Sequence, residues 1–267
     1  MRDWDDAFNN MGHVEGSAAL PGFWAKRAED YRAQTRIDAD IPYGSAKRET
    51  LDLVWPDGAP KGLVVFVHGG FWMRLDKSYW TDLAEGARAQ GWAVAMPSYT
   101  LTPEARISEI TTQVGAAIEE AARRVGGPIH LVGHSAGGHL VTRMICDNSP
   151  LSAQTIARVE QVLSISGLHD LRPLRQTAMN DTLRLTAEEA TEESPALLTP
   201  VPGVRVSIWV GGGERPEFIR QARLLDMIWQ GLDATTDLTI DGDHNHFTIL
   251  EGLKSPDSPL CAGLLGG

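Results

Sequence analysis

Only two cysteines, Cys146 and Cys261, occur among the 267 residues of this chain. That excludes a disulfide framework, and both read as reduced structural thiols, Cys146 on the apolar face of a helix. Basic residues are also in deficit: 24 Lys and Arg stand against 35 Asp and Glu, with no Lys/Arg run, for a formal net charge of −11. Without a basic stripe to meet phosphates, nucleic acid is not an expected partner. No apolar run is long enough to span a bilayer, and the opening MRDWDDAFNN is acidic with no apolar stretch. Neither a membrane span nor a signal peptide is expected, and the cytoplasm is the expected location. Repeats and low-complexity linkers are missing. His244-x-His246 is too little for a metal site, so neither metal nor cofactor is expected. What is present, 42% hydrophobic and 22% charged residues, suits one large globular domain over residues 1–267 acting on a small-molecule substrate, with a homodimer left open.

Hydrophobic periodicity orders that domain. In residues 1–35, Leu20, Phe23, Trp24, Ala28 and Tyr31 recur at helical spacing, predicting a helical segment that either folds over the active end as a lid or simply packs there. Strands are predicted at 37–41, 49–55, 63–67, 92–96, 129–132, 162–166, 204–210 and 235–240, with helices between most of them and a last helix over 247–253. Residues 167–200 carry no strand signal, only short helical pieces, and an excursion of that length suggests a second lid. The alternation implies an α/β fold, a mostly parallel sheet covered by helices on both faces.

One stretch gives the sheet a chemistry. GHSAGGHL (133–140) follows a β-branched strand and precedes a helix, which places Gly133-x-Ser135-x-Gly137 in a tight strand–helix turn, the context of a nucleophile elbow. Three other distinctive segments also lie just after strands: His68-Gly69-Gly70-Phe71-Trp72, the Gly211–Glu214 turn and the loop from Asp241 to His246. In a parallel sheet these converge on one edge, where ligands bind. Ser135 needs a base, and the last loop offers two. His246, directly before the final helix with Phe247 to wedge it, is favoured over His244. For the carboxylate that orients the base, Glu214 after its three glycines is favoured over Asp170. The oxyanion hole is expected from the Ala136 amide and the Gly69-Gly70 loop, with His68 fixing that loop by hydrogen bonding. Phe71, Trp72 and His244 are expected around the substrate pocket, the alternative for the two rings being core packing.

These motifs resemble the α/β-hydrolase fold and, within it, the kynurenine formamidase (arylformamidase) group, which is related to hormone-sensitive-lipase-like esterases. The resemblance runs from about residue 20 to residue 254. HGGFW at 68–72 is similar to the group's His-Gly-Gly-aromatic-Trp loop, and GHSAGGHL to its elbow, with His134 where the esterases tend to have Asp. SGLHDLRPL (166–174), NDTLRLT (180–186), ERPEF (214–218) and NHFTILEGL (245–253) resemble formamidase segments. The resemblance implies a Ser135–His246–Glu214 triad cleaving N-formyl-kynurenine through an acyl-enzyme. One departure stands out: Glu214 occupies a position where the group carries Asp. The competing readings are a carboxylesterase or thioesterase for small acyl groups, and a binding module that keeps the fold without the activity.

Overall fold

The computed structural model describes residues 2–266. Eight strands form one sheet: β1 (Ile37–Pro42), β2 (Thr50–Val54), β3 (Leu63–Val67), β4 (Ala93–Pro97), β5 (Ile129–His134), β6 (Val159–Ile165), β7 (Arg205–Gly211) and β8 (Thr235–Asp241). Their order is β1-β2-β4-β3-β5-β6-β7-β8; β2 runs antiparallel to both of its neighbours, β1 and β4, and every other neighbouring pair is parallel. The chain winds from β3 to β4 on one side, then crosses to β5 on the other. The carboxyl ends of β3 and β5 therefore flank the point where the winding reverses, the natural crevice of such a sheet.

The central strands are apolar throughout because both faces are covered. Every residue of β3, β4 and β5 is buried. Successive side chains alternate between two cores, Leu63, Val65 and Val67 entering one and Val64 and Phe66 the other, as the period of two demands. Burying such a side chain contributes roughly 1.5–3 kcal/mol, so the middle of the sheet is its most secure part. At the edge, β8 is mostly half-exposed and carries Asp237 and Asp241, charges that discourage further strand pairing.

Among the described residues ten α-helices accompany the sheet: α1 (Trp4–Ala7), α2 (Leu20–Arg32), α3 (Glu85–Ala89), α4 (Ile107–Arg124), α5 (Ala136–Arg143), α6 (Ala153–Ile156), α7 (Asn180–Leu183), α8 (Ala187–Glu192), α9 (Pro216–Gln230) and α10 (Pro259–Leu265). Four details differ from the sequence expectations. On α2, Trp24 and Ala28 are buried but Phe23 is 59% exposed, its ring lying under the Arg27 guanidinium. After Trp80 the chain makes a 3-10 turn, Thr81–Ala84, before the short α3. The helix expected at 247–253 is a 3-10 helix, Thr248–Lys254, and α10 follows it. Finally, α5 stops at Arg143, so Cys146 lies beyond it, in an isolated bridge to Pro200. Cys146 and Cys261 are both buried and free, and burial pushes their thiols up, to about 12 and about 11.

The segment before the sheet is tied to the strand ends. Arg215, next to Glu214, ion-pairs with Asp6, Arg2 pairs with Glu217 on α9 at 3.0 Å, and Asp5 accepts the Ala178 amide at 2.7 Å. No helix among the described residues is long and apolar enough to cross a membrane.

Candidate active site

Ser135 stands between the last residue of β5 and the first of α5, at φ 56°, ψ −116°. That conformation costs on the order of 1–3 kcal/mol and persists only where the surroundings enforce it. Here the Ser135 amide donates to the Ile165 carbonyl at 2.8 Å, and its own carbonyl accepts from His139 N at 3.1 Å. Gly137 is required by close approach: a Cβ there would overlap the Val67 carbonyl oxygen of the neighbouring strand. The strand ends are thus clamped together, and Ser135 is held at the sheet edge, 2% exposed.

After β3 the backbone turns through three consecutive positive-φ residues, Gly70 (110°), Phe71 (51°) and Trp72 (56°). At Gly70 a side chain would collide with the Arg74 carbonyl. The turn is closed by Met73 N and Arg74 N, both donating to Gly70 O at 3.0 and 3.2 Å. His68 Nδ1–H donates to Gly69 O at 2.7 Å, and its ring stacks on Tyr99 at 4.3 Å. Burial lowers its pKa to about 4, so it is a neutral brace for the loop. Gly69 packs directly against the elbow, where a Cβ would lie 3.0 Å from Ser135 Cβ. The amides of Gly69, Gly70 and Ala136 donate to no protein acceptor among the described residues, which leaves three donors around the serine for an anionic oxygen.

His246 comes from the loop after β8. Its Nδ1 lies 2.6 Å from Glu214 Oε2, with the pair 5% and 6% exposed. The carboxylate is anchored on its other oxygen, which accepts Ser166 Oγ at 2.5 Å and the Gly211 amide at 2.8 Å. A fixed acceptor at Nδ1 sets the imidazole tautomer and leaves Nε2 as a lone-pair base. The ring is held by Phe218, 4.6 Å away between centroids, and edge-on by Phe247 at 5.3 Å. His134 Nε2–H donates to the His246 carbonyl at 2.8 Å. Its own pKa is lowered by burial and by the neighbouring His246, so it too stays neutral and acts as a backbone tie. No direct hydrogen bond joins Ser135 Oγ to His246 among the described residues; both line one cavity, a relation that often tightens only with substrate bound.

That cavity has a volume of about 290 Å³, small for a ligand site. Trp24, Phe71, Trp80 and Phe247 give it aromatic walls, and Phe8, Met11 and Met179 contribute from the N-terminal segment and the 167–200 excursion. Both segments named as lids in the sequence reading therefore border it.

The structure brings Ser135, His246, Glu214, Gly69, Gly70, Ala136 and Phe71 together. It does not bring Trp72 or His244 to the pocket. Trp72 is fully buried and meets His139 edge-on at 5.1 Å; after Phe71 the left-handed turn points the next side chain into the core. His244 lies outside the cavity lining, partly exposed, with its ring at Thr248. Asp170, the other acid considered, is engaged by Arg172 at 2.8 Å and Arg220 at 3.9 Å. Sequence reasoning missed Ser166 and Phe218, and the tie made by His134. Ser166 left one signal, its place as the last residue of the strand predicted at 162–166, at the same end of the sheet as Ser135 and Glu214; the structure ends that strand at Ile165, and the others depend on distant packing. Among the described residues no three His, Cys, Asp or Glu cluster as metal ligands would.

The alpha/beta hydrolase family model matches residues 64–251. Two curated relatives are kynurenine formamidases: that of Danio rerio, 27% identical over 84% of this chain and 80% of that protein, and that of Salmo salar, 28% identical over 87% and 82%. A crystal structure from Silicibacter sp. TM1040, provisionally named a thioesterase, is 46% identical and superposes with a TM-score of 0.93 over 99% of this chain and 100% of that one. Esterase B of Lactobacillus rhamnosis, 18% identical with a TM-score of 0.69 over 93% of each chain, shares the fold.

Proposed function

The chain belongs to the alpha/beta hydrolase family and is a hydrolase, and from that premise we propose that it cleaves the formamide bond of N-formyl-kynurenine with Ser135, His246 and Glu214. Ser135 Oγ attacks the formyl carbon as its proton passes to His246 Nε2. The oxygen of the tetrahedral intermediate is received by the Gly69, Gly70 and Ala136 amides. Collapse breaks the C–N bond, and the imidazolium returns the proton to the departing aryl nitrogen. Water, deprotonated by the same imidazole, then releases formate from the serine ester. Glu214 stabilises the imidazolium throughout and keeps its own charge.

The observation that carries this reading is the small aromatic cavity on whose wall Ser135, His246 and the glycine loop meet. It suits an aryl leaving group beside the smallest of acyl groups, and similarity to formamidases over most of their length supports the choice. The 46% identical Silicibacter structure favours a second reading, a thioesterase or carboxylesterase for short acyl groups. A side-by-side kcat/KM series decides between them: N-formyl-kynurenine, aryl acetate to hexanoate, and an acyl-CoA at one pH. The expected result is formamide ahead of every ester, with ester activity falling as the chain lengthens. A preference for hexanoate with no formamidase turnover replaces the formamidase with the esterase.

A further inference from the structure

Two residues lining the cavity, Asn10 and Arg74, carry polar groups with no protein partner among the described residues. Asn10 is 94% buried (6% exposed). Its Oδ1 accepts the Arg215 amide at 3.0 Å, while its Nδ2 is enclosed without any hydrogen-bond partner. A buried amide donor left unpaired costs about 1–3 kcal/mol, and such a group on a cavity wall is accounted for when a ligand supplies the acceptor. Arg74 is the second. It follows the glycine turn, its amide on Gly70 O at 3.2 Å, and it stands exposed at the mouth of the same cavity, among its lining residues. Nearly every other arginine near the cavity end of the sheet is neutralised: Arg215 by Asp6, Arg2 by Glu217, Arg27 by Asp82, Arg172 by Asp170. Arg74 has no ion-pair partner among the described residues.

Resting on the hydrolase reading above, we propose that Asn10 Nδ2 and the Arg74 guanidinium form a subsite for a carboxylate carried by the substrate's leaving group. A planar guanidinium matches a carboxylate in two parallel hydrogen bonds, and Asn10 adds a desolvated donor. The rim also holds the exposed Asp5, whose second oxygen takes no hydrogen bond among the described residues beside the one that accepts the Ala178 amide; it complements the ammonium of an amino-acid group. The walls between rim and Ser135 are aromatic, so the ligand class is an aryl acyl compound bearing an α-amino acid. Because the backbone of Arg74 is pinned to Gly70, the carboxylate is read from the loop that also receives the oxyanion, which links recognition of the leaving group to placement of the acyl carbon.

The test uses two aryl acetates, O-acetyl-tyrosine and 4-ethylphenyl acetate, which share the scissile bond and differ in the amino-acid group. Their kcat/KM ratio is measured in the full-length wild type, in Arg74→Met and in Asn10→Asp. The last variant keeps the acceptor for Arg215 N and replaces the donor with a repelling charge. Taking the ratio within each variant cancels differences in folded fraction and in chemistry. The wild type is expected to favour O-acetyl-tyrosine at least 10-fold, and each variant to reduce the ratio about 10- to 100-fold. A wild-type preference for the uncharged ester overturns the subsite, and a ratio within twofold of wild type in either variant overturns the part of that residue. The readout does not require formamide turnover, so a failure of the formamidase reading in the substrate series is seen separately from a failure here.

Discussion

Acidification acts on this fold through its buried histidines. His68, His139 and His169 are enclosed on all sides, and burial holds their pKa values at about 4, about 3 and about 3. Burial outweighs the opposing effect of the Glu193 carbonyl, which accepts His139 Nε2–H at 2.6 Å and by itself would favour the protonated ring, and His169 sits between the Ser164 and Thr142 hydroxyls. In the unfolded chain each imidazole takes up a proton near pH 6.5. The folded values are depressed, so below that pH the unfolded state binds more protons than the folded one. Stability therefore falls as pH falls from about 6.5 toward the folded values, and above 6.5 these groups have no effect. At 1.36 kcal/mol per unit, each enclosed histidine withdraws about 2 kcal/mol by pH 5, and the three together about 6 kcal/mol, against a total of about 5–15 kcal/mol for a domain. Carboxylates, with unfolded values near 4, add little above pH 5. The assay is urea unfolding followed by circular dichroism at pH 7.5, 6.5, 5.5 and 5.0, repeated with His169→Gln. The variant's stability should vary with pH less steeply than wild type, by up to about 1.4 kcal/mol per unit between pH 6 and 5, whatever its value at pH 7.5. Wild-type stability that is flat from 7.5 to 5.0 would refute the account.

Ser135→Ala should abolish turnover and labelling by a fluorophosphonate while leaving the circular dichroism spectrum and melting temperature near wild type, because the side chain faces the cavity; retained turnover sinks the serine mechanism. Glu214→Gln should lower kcat by about 10³–10⁴ with little change in KM, whereas Asp170→Asn should cost far less; the opposite ranking moves the acid to the earlier strand. His246→Ala should remove nearly all activity and His244→Ala should keep it, measured as kcat/KM on the same substrate. Gly137→Ala should yield little soluble protein, since nothing but backbone surrounds the missing Cβ; a variant that expresses and melts like wild type contradicts the clamp between β3 and α5.

Local sequence carried the sheet and the meeting of four loops at one of its ends, because each depends on a strand followed by a distinctive turn. Right-handed crossovers fix the face on which each connecting helix lies once the strands are known, but the order β4-β3-β5, with the winding reversing at β3, was not readable from the strands alone. Orientation within a turn was not readable. Phe71 and Trp72 are adjacent and aromatic, yet three successive positive φ angles send one ring to the cavity and the other into the core. Partners brought from far along the chain were equally hidden: Asn10 meets Arg215 across 205 residues, and His134 meets His246 across 112. Periodicity also overstated the last helix, because a span with Ile249, Leu250 and Leu253 buried serves a 3-10 helix as well as an α-helix.

The N-terminal segment bordering the cavity is fastened to the sheet end in two ways: by charge, Asp6 to Arg215 and Arg2 to Glu217, with Asp6 and Arg2 about half-exposed, and by Phe8, buried in the core against Phe218. Beneath it the sheet is held by apolar contact. Salt acts on these two kinds of cohesion in opposite senses. Ions weaken the partly exposed pairs as the screening length shrinks from about 10 Å at 0.1 M to about 3 Å at 1 M, while sulfate or phosphate strengthens apolar burial. In concentrated sulfate the body of the molecule should thus become harder to unfold, while the cover over its cavity exchanges its ion pairs for a firmer hold at Phe8, so that the segment's charged rim loosens around a single apolar pivot.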